Sequence, residues 1–161
     1  MPEYDCSLWN YLKRFRIKSS EMLPFDERLN ILEIIADTVV FIQKKGFCHL
    51  DLKATNILIN LDKSQKWNKR DLVLADFGLA GTVNDVRGSS GTPGFGSPEQ
   101  FIGIVTPTSD NYALGKLAIM VLFKWEISWN FLARPISKVE YREERIRDHP
   151  IQKVISALLN V

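Results

Sequence analysis

The sequence contains few of the residues that build metal centres and disulfide frameworks. Its 161 residues include two cysteines, Cys6 and Cys48, and two histidines, His49 and His149. The cysteines form no Cys-x-x-Cys pair, and the histidines add no usual zinc-ligand spacing to them. The composition therefore argues against a disulfide scaffold and against a zinc module. It favours a reduced intracellular compartment, cytoplasmic or nuclear, as the location of the protein.

The chain also lacks a strong charge imbalance and a long apolar run. A net charge of +2 is too small to predict binding to nucleic acid or to a membrane surface. The most apolar window, residues 113–123, is shorter than a bilayer-spanning helix and contains Lys116. The first residues have neither the basic start nor the apolar run of a signal peptide. We therefore expect one soluble domain, long enough to bury a hydrophobic core.

The sequence predicts two helices within the first third of the chain. Ser7 is placed to cap a first helix that ends near Phe15, and a polar linker follows it. Apolar residues then recur at helical spacing over residues 25–45. Asp26 is the expected N-cap of this second helix, and Gly46 is the expected left-handed residue after its end.

Two further helices and a few short strands complete the predicted fold. Residues 109–124 are apolar on most faces, which predicts a helix buried in the centre of the domain. Residues 151–161 begin an amphipathic helix, and short strands are expected within residues 47–75. Residues 78–96 are rich in Gly, Ser and Thr, and long irregular segments of this kind are usually functional or mobile. The predicted class is mainly α with a few short β-strands (α+β).

One stretch, residues 48–59, combines reactive side chains with apolar ends. It reads Cys-His-Leu-Asp-Leu-Lys-Ala-Thr-Asn-Ile-Leu-Ile. The apolar ends predict two small strands with a loop pinned between them. Such a loop can direct Asp51, Lys53 and Asn56 at one point. We expect the functional site to be centred on this loop.

Asp76 adds a second carboxylate, at the end of a strand predicted over residues 72–75. Carboxylate and amide oxygens without Cys or His ligands are typical of hard cations, above all Mg²⁺. Asn56 and Asp76 are therefore the candidate metal ligands. Asp51 could accept a proton from an incoming hydroxyl, and Lys53 could neutralise charge on a transferred phosphoryl group.

Three motifs, in this order, resemble those of eukaryotic-type protein kinases. Residues 49–56, His-Leu-Asp-Leu-Lys-Ala-Thr-Asn, resemble the catalytic loop of that family. Asp-Phe-Gly at residues 76–78 is identical to its magnesium-binding motif, and Ser-Pro-Glu at residues 97–99 is similar to the Ala-Pro-Glu that ends its activation segment. The intervals, 25 residues from Asp51 to Asp76 and 23 from Asp76 to Glu99, also agree with the family.

The resemblance implies a kinase that transfers phosphate from ATP, with Mg²⁺, to a serine or threonine of a protein substrate. Lys53, two residues after Asp51, is typical of the serine/threonine class. Residues 1–161 would be a partial kinase-like domain, formed by the hinge and the C-terminal lobe with the N-terminal lobe absent. Residues 76–99 would be its activation segment. No nucleic acid or membrane partner is expected, whereas a partner protein stays open.

The resemblance also implies roles for residues outside the catalytic loop. Those expected near the adenine are Glu3, Tyr4, Asp5 and, as the apolar floor beneath the base, Leu58. Those expected to support the site are His49 and Phe77, as parts of a packed internal column, and Asp110, as the anchor of the loop backbone. Within the activation segment the resemblance picks out Phe77, Gly78, Thr92 and Glu99. We expect Thr92 to hydrogen-bond the catalytic loop.

The chain departs from the family pattern at several points. It contains no Gly-x-Gly-x-x-Gly loop and no Val-Ala-x-Lys strand, the parts that cover and orient the nucleotide phosphates. No arginine partner can be assigned to Glu99, so we expect Glu99 to find a substitute or to be partly exposed. Leu50 replaces the arginine that usually grips a phosphorylated activation segment. We therefore expect replacement of Ser89, Ser90 and Thr92 by alanine to change activity little.

Three interpretations stay open at the level of the sequence. The chain is the C-terminal lobe of an active serine/threonine kinase, or a catalytically inactive kinase-like module that binds a partner protein, or a fragment of a longer kinase. The presence of Asp51, Asn56 and Asp76 favours catalysis, because a binding module does not need them. The missing N-terminal lobe favours the binding module, and it predicts weak binding of ATP·Mg²⁺ by this chain alone.

Overall fold

The computed structural model describes residues 3–18, 23–64, 66–68, 71–85, 88–122 and 150–159, so His149 lies outside the described residues. The helices are α1 (Leu8–Lys18), α2 (Phe25–Lys44), α3 (Pro98–Phe101), α4 (Pro107–Leu122) and α5 (Ile151–Leu159). The strands are β1 (Cys6–Ser7), β2 (Phe47–Cys48), β3 (Ile57–Ile59), β4 (Leu72–Leu74) and β5 (Gly81–Thr82). The predicted α+β class, mainly helical with short strands, is confirmed for this part of the chain.

The strands form two small antiparallel sheets, and the loop of residues 49–56 runs from one sheet to the other. In the first sheet β3 lies between β1 and β4, with Ser7 opposite Leu58 and Leu58 opposite Val73. In the second sheet β2 pairs with β5. The small strands predicted on both sides of the loop are confirmed. Their membership of different sheets is a finding of the structure.

α2 supplies one wall of the hydrophobic core. Leu32, Ile35 and Val39 are buried and recur at helical spacing, as the sequence predicts. The chain leaves the helix through Gly46, whose φ of +83° lies in the left-handed region expected for this glycine. β2 follows at once, so α2 leads the backbone directly into the loop of residues 49–56.

The start of α2 differs from the sequence prediction. Asp26 is not the N-cap, because the helix begins at Phe25 and Pro24 occupies the capping position without a side-chain hydrogen bond. Proline suits a helix start, since it has no N–H to leave unpaired and its φ is already restricted. Asp26 and Glu27 lie in the first turn instead, where their negative charge interacts favourably with the positive end of the helix dipole.

α4 packs against both α2 and α5 and is buried along most of its length. It begins at Pro107, two residues before the predicted start. Lys116 is buried as well, and its Nζ lies 5.3 Å from the centroid of the Tyr112 ring. Burial lowers the pKa of the Lys116 ammonium to about 8. Neither α4 nor any other helix in the described ranges is long and apolar enough to cross a bilayer.

A hydrogen-bonded network ties α1 to α2 and to the connection between β3 and β4. Glu27 Oε1 accepts the Tyr11 hydroxyl at 3.1 Å and the Trp67 indole N–H at 2.8 Å. Burial of the phenol, with the Glu27 charge beside it, raises the pKa of Tyr11 above its ordinary value. At the start of α1, Ser7 Oγ accepts the Asn10 N–H at 3.3 Å, which confirms the predicted cap.

Replacing Ile35 by alanine should lower the free energy of unfolding by about 2–5 kcal/mol, because truncating a buried isoleucine leaves a cavity. Ile35 is 1% exposed, whereas Val40 on the same helix is 45% exposed. The matched Val40→Ala variant should therefore lose less than about 1 kcal/mol. Urea unfolding followed by circular dichroism measures both. Equal losses would contradict the burial of this face of α2.

Candidate active site

The loop of residues 49–56 is fastened to α4 by one buried carboxylate. Asp110, in the first turn of α4, accepts the backbone N–H of His49 at 2.7 Å and of Leu50 at 2.8 Å. Burial raises the pKa of Asp110, and the two N–H groups act in the opposite direction. Leu50 has a φ of +66°, in the left-handed region that leucine rarely adopts. The two hydrogen bonds therefore hold a turn that the local sequence does not favour.

Asp51, Lys53 and Thr92 form a closed set of hydrogen bonds. The Asp51 carboxylate accepts Lys53 Nζ at Oδ2, at 2.6 Å, and Thr92 Oγ1 at Oδ1, at 2.5 Å. Lys53 Nζ also donates to Thr92 Oγ1 at 2.8 Å. Asp51 is 7% exposed, so these interactions are little screened by water. Thr92 thus makes the expected hydrogen bond to the loop, and its hydroxyl lies beside both a carboxylate and an ammonium.

Asn56 is a further polar side chain directed at Asp51. Its Nδ2 donates to the Asp51 backbone carbonyl and to Asp51 Oδ2, both at 3.0 Å. Asn56 ends the short 3-10 helix Ala54–Asn56, immediately before β3, so the start of the strand sets its position. Since the amide nitrogen is engaged by Asp51, the amide oxygen is the atom of Asn56 left to bind a cation.

Asp76 lies one residue beyond Ala75, the residue after β4 that contacts the loop of residues 49–56. The Ala75 N–H donates to the Asn56 carbonyl at 2.8 Å, and His49 Nε2 lies 3.0 Å from the Ala75 carbonyl oxygen. Asp76 itself is exposed, has a φ of +63°, and accepts the Gly78 N–H at 3.4 Å. Non-glycine residues in this region carry strain and cluster at functional sites.

His49 joins the loop to the segment after β4. Its Nδ1 accepts the Asp51 N–H at 3.2 Å, so its Nε2 carries the proton and donates to Ala75. The His49 and Phe77 rings meet edge to face, with centroids 4.7 Å apart. His49 is fully buried, whereas Phe77 stays 49% exposed, so only the histidine is packed as the internal column requires.

Asn56 and Asp76 offer only oxygen atoms to a cation. Mg²⁺ prefers such hard ligands, and it commonly binds through one or two protein oxygens together with waters and substrate phosphates. The described ranges contain no group of three His, Cys, Asp or Glu side chains that could hold a metal ion by themselves. The donor set therefore fits Mg²⁺ held partly by phosphate, and it does not fit a closed structural metal site.

Leu58, the residue expected beneath the adenine, lies on the outer face of the first sheet. Ile57 and Ile59 on either side of it are fully buried, whereas Leu58 is half-buried and pairs with Val73. Because alternate residues of a strand face opposite sides of the sheet, Leu58 and Val73 share the face away from the core. The two side chains make this face of the sheet apolar.

Residues 3–5, also expected near the adenine, lead into β1. Because β1 runs antiparallel to β3, these residues extend past the end of β3 and away from Leu58. The Asp5 carboxylate accepts the Leu61 N–H at 2.7 Å, and the three side chains are exposed or half-buried. The structure therefore brings Asp5 to Leu61 and does not bring it to Leu58.

The comparison with known families decides to which group this arrangement belongs. The family model described as "Protein kinase domain" matches residues 5–158, which is nearly the whole chain. The chain belongs to the protein kinase family. The resemblance drawn from the three motifs is thereby confirmed.

Curated relatives of this kinase-family chain carry the name serine/threonine-protein kinase. PknF of Mycobacterium tuberculosis is 29% identical over 136 residues, covering 74% of the chain and 28% of the relative. Pkn2 of Myxococcus xanthus is 34% identical over 129 residues, covering 71% and 15%. ArnS of Sulfolobus acidocaldarius is 29% identical over 123 residues, covering 68% and 19%. The chain spans less than a third of the length of these relatives.

Leu50, which departs from the kinase pattern, is held by apolar packing. It is 3% exposed and belongs to a small cluster with Cys48, Val105 and Val83. Burial raises the pKa of the Cys48 thiol to about 11, with the Asp110 charge adding to the shift, so the thiol is neutral. In this member of the protein kinase family, hydrophobic burial holds the position of the loop at which the family pattern has an arginine.

Glu99 finds hydroxyl partners on α4. Thr108 Oγ1 donates to Glu99 Oε1 at 3.1 Å, and Ser109 Oγ donates to the same atom at 3.3 Å. Glu99 is half-buried, so both parts of the expectation, a substitute partner and partial exposure, hold. The arginines considered as ion-pair partners, Arg134, Arg142, Arg145 and Arg147, lie outside the described residues.

Gln100 is a buried polar residue of the site that the sequence analysis does not single out. It is 2% exposed, and its Nε2 donates to the Leu50 carbonyl oxygen at 2.5 Å. Position 100 follows Glu99 at the end of the third motif, but no spacing rule connects it with position 50. The contact becomes visible only in the folded chain.

Asp110→Ala should lower the free energy of unfolding by roughly 2–6 kcal/mol, because it leaves two buried N–H groups without an acceptor at about 1–3 kcal/mol each. The matched control is Asp62→Ala. Asp62 accepts the Ser64 and Lys66 N–H groups in an exposed turn, so its loss should cost less than about 1 kcal/mol. Urea unfolding gives the energies. Amide hydrogen exchange should accelerate at His49 and Leu50 in Asp110→Ala, and unchanged exchange there would contradict the anchoring.

Proposed function

We propose that this chain is the part of a serine/threonine protein kinase that runs from the hinge through the C-terminal lobe, with residues 76–99 as its activation segment. The reaction is transfer of the terminal phosphoryl group of ATP to a serine or threonine hydroxyl of a protein substrate. One observation carries the proposal. The Thr92 hydroxyl lies 2.5 Å from Asp51 Oδ1 and 2.8 Å from Lys53 Nζ, and an acceptor hydroxyl needs the same two partners.

Asp51 is the proposed proton acceptor. The oxygen of the acceptor hydroxyl forms a bond to the terminal phosphorus of ATP, while the bond from that phosphorus to the bridging oxygen breaks. The electron pair of the broken bond stays on the ADP oxygen, and the hydroxyl proton passes to the Asp51 carboxylate. Asn56, which donates to Asp51 Oδ2 at 3.0 Å, supports this role by keeping the carboxylate in one orientation.

Lys53 is the proposed charge stabiliser. Its ammonium lies 2.6 Å from Asp51 Oδ2, so it is held close to where the hydroxyl reacts. Negative charge spreads over the oxygens of the transferred phosphoryl group, and a positioned cation stabilises that charge most when little water surrounds it. A lysine fixed by two partners, Asp51 and Thr92, needs little rearrangement to do so.

The proposed metal ligands are the Asn56 amide oxygen and the Asp76 carboxylate. Bound Mg²⁺ would supply neutralisation of the phosphate charge of ATP. The exposure of Asp76 leaves its carboxylate accessible to a hydrated cation. The hydrogen bond from Ala75 to Asn56 supports a short distance between the two ligand positions. For the adenine, the apolar face at Leu58 is the proposed stacking surface. Glu3, Tyr4 and Asp5 are proposed as the hinge, although they lie beyond the end of β3 and do not border Leu58.

Asp51→Asn and Asp76→Ala should each lower phosphate incorporation by about 100-fold or more, because the first removes the base and the second a metal ligand. The assay uses the 161-residue chain, ATP, Mg²⁺ and a peptide containing serine and threonine. Asp62→Asn, in an exposed turn, is the control and should keep the wild-type rate within about twofold. Equal incorporation by the wild type and Asp76→Ala would rule out the catalytic role.

Binding can be measured apart from turnover. Mn²⁺ with ATP, as a paramagnetic probe of the magnesium position, should broaden the amide signals near Asn56 and Asp76 in the wild-type chain and not in Asp76→Ala. Because weak binding is expected of this part of a kinase, the probe is raised until its effect is constant, and a chain that then shows neither broadening nor turnover would contradict a catalytic role for this chain. It would favour a kinase-like module that binds a partner protein.

Thr92→Val should lower the turnover rate by about tenfold or more, because it removes hydrogen bonds to two charged groups. Thr92→Ser should keep most of the rate. The double variant Ser89→Ala/Ser90→Ala should stay within about twofold of the wild type, since neither hydroxyl touches Asp51. This revises the expectation from the sequence, in which the three positions behave alike. A loss in the double variant as large as that in Thr92→Val would contradict the assignment.

A further inference from the structure

The peptide unit between Leu50 and Asp51 is held at both of its polar atoms. Its carbonyl oxygen, on Leu50, accepts Gln100 Nε2 at 2.5 Å, and its N–H, on Asp51, donates to His49 Nδ1 at 3.2 Å. A peptide unit is planar, so fixing both atoms fixes the rotation of the whole plane. The Cα of Asp51 is attached to this plane. The rotation of this peptide plane therefore sets the direction in which the Asp51 side chain leaves the loop.

Leu50 would not hold this geometry by itself. Its φ of +66° is disfavoured for any residue with a bulky side chain. Each part of the residue is fixed by a different contact. The N–H is held by Asp110 at 2.8 Å, the side chain by the cluster with Cys48 and Val105, and the carbonyl by Gln100. Removing the carbonyl contact alone leaves the peptide plane held only at the Asp51 N–H, 3.2 Å from His49 Nδ1, while the contacts of the Leu50 N–H and side chain remain.

Gln100 reaches the loop through a space that Gly91 keeps open. A Cβ at Gly91 would lie 2.4 Å from Gln100 Nε2 and 3.4 Å from the Leu50 carbonyl oxygen. Gly91 also has a φ of +100°, so a side chain there is excluded by both space and backbone. The next residue, Thr92, contacts Asp51 directly. The segment of residues 78–96, helix α3 and the loop of residues 49–56 thus meet at the buried side-chain amide of Gln100.

We propose that Gln100 is a positioning residue for the phosphoryl transfer. Its amide N–H holds the Leu50 carbonyl and, through the plane of the Leu50–Asp51 peptide, aims the Asp51 carboxylate at the acceptor hydroxyl. This role rests on the proposed function, because the aim of Asp51 matters for rate only if Asp51 accepts the proton. The role requires a hydrogen-bond donor at position 100. Packing alone would require only a side chain of similar size.

Gln100→Met tests this difference, since methionine keeps the length of the side chain and has no donor. We expect the turnover number of Gln100→Met to fall about tenfold, with the KM for ATP within about twofold of the wild type. Gln43→Met is the matched control. Gln43 Nε2 donates to the Pro107 carbonyl at 3.0 Å and to Asn111 Oδ1 at 3.2 Å, away from the loop. Its turnover number should stay within about twofold of the wild type.

Gln100→Glu supplies a conditional rescue. An ionised carboxylate cannot donate to the Leu50 carbonyl, whereas a protonated carboxyl can, and burial favours the protonated form. The ratio of its turnover number to that of the wild type should therefore rise about threefold or more as the pH is lowered from about 8 to about 6. The same ratio for Gln100→Met should stay flat. A side chain that acted only by filling space would show no such rise.

A third readout does not depend on turnover. In NMR spectra of the chain without ATP, Gln100→Met should shift the Leu50 carbon and Asp51 amide signals and accelerate exchange at the Asp51 amide, while Gln43→Met should not. If these changes occur in a chain that shows no phosphotransfer, they would contradict the proposed function and still support the role of Gln100 in holding the Leu50–Asp51 peptide plane. Unchanged Asp51 signals, an unchanged turnover number in Gln100→Met, or an equal loss in Gln43→Met would overturn the positioning role.

Discussion

The candidate site depends on the two hydrogen bonds that the Asp110 carboxylate accepts from the loop. The carboxylate accepts the N–H groups of two successive residues, His49 and Leu50, and it does so from the first turn of the buried helix α4. A loop is ordinarily more mobile than the elements that it connects. Here the start of the loop is hydrogen-bonded to the buried helix α4, which positions Asp51 relative to the core. The other contacts of the site refine a position that this carboxylate establishes.

The candidate site has neutral contacts at two positions where the resemblance to protein kinases predicts a charged partner. Leu50 is packed among apolar side chains, and its carbonyl is bound by a neutral amide. Glu99 is bound by two hydroxyl groups. Neutral contacts of this kind do not respond to phosphorylation in the way that a cation does. In the described part of this region, Thr92 and Gln100 join the segment and α3 to the loop of residues 49–56 by hydrogen bonds that involve no phosphorylated residue.

Side chains that lie close in sequence were predictable, and contacts between distant segments were not. Asp51, Lys53 and Asn56 fall within six positions, so a loop of any shape keeps them near one another. Strands of two or three residues are too short to show alternation, which explains why their division into two sheets could not be predicted. The left-handed backbone of Leu50 opposes the local preference of leucine, and its contact with Gln100 joins residues that are fifty positions apart. Only tertiary packing decides such features.

The division of the strands into two sheets has a mechanical consequence. One segment crosses from β2 in the second sheet to β3 in the first, and the other returns from β4 in the first sheet to β5 in the second. The two segments that span this gap are joined through Ala75, which is hydrogen-bonded to Asn56 at 2.8 Å and to His49 at 3.0 Å. We therefore expect a shift of one sheet relative to the other to displace Asp51 and Asp76 together, because Ala75 precedes Asp76 and is bound to the loop that carries Asp51.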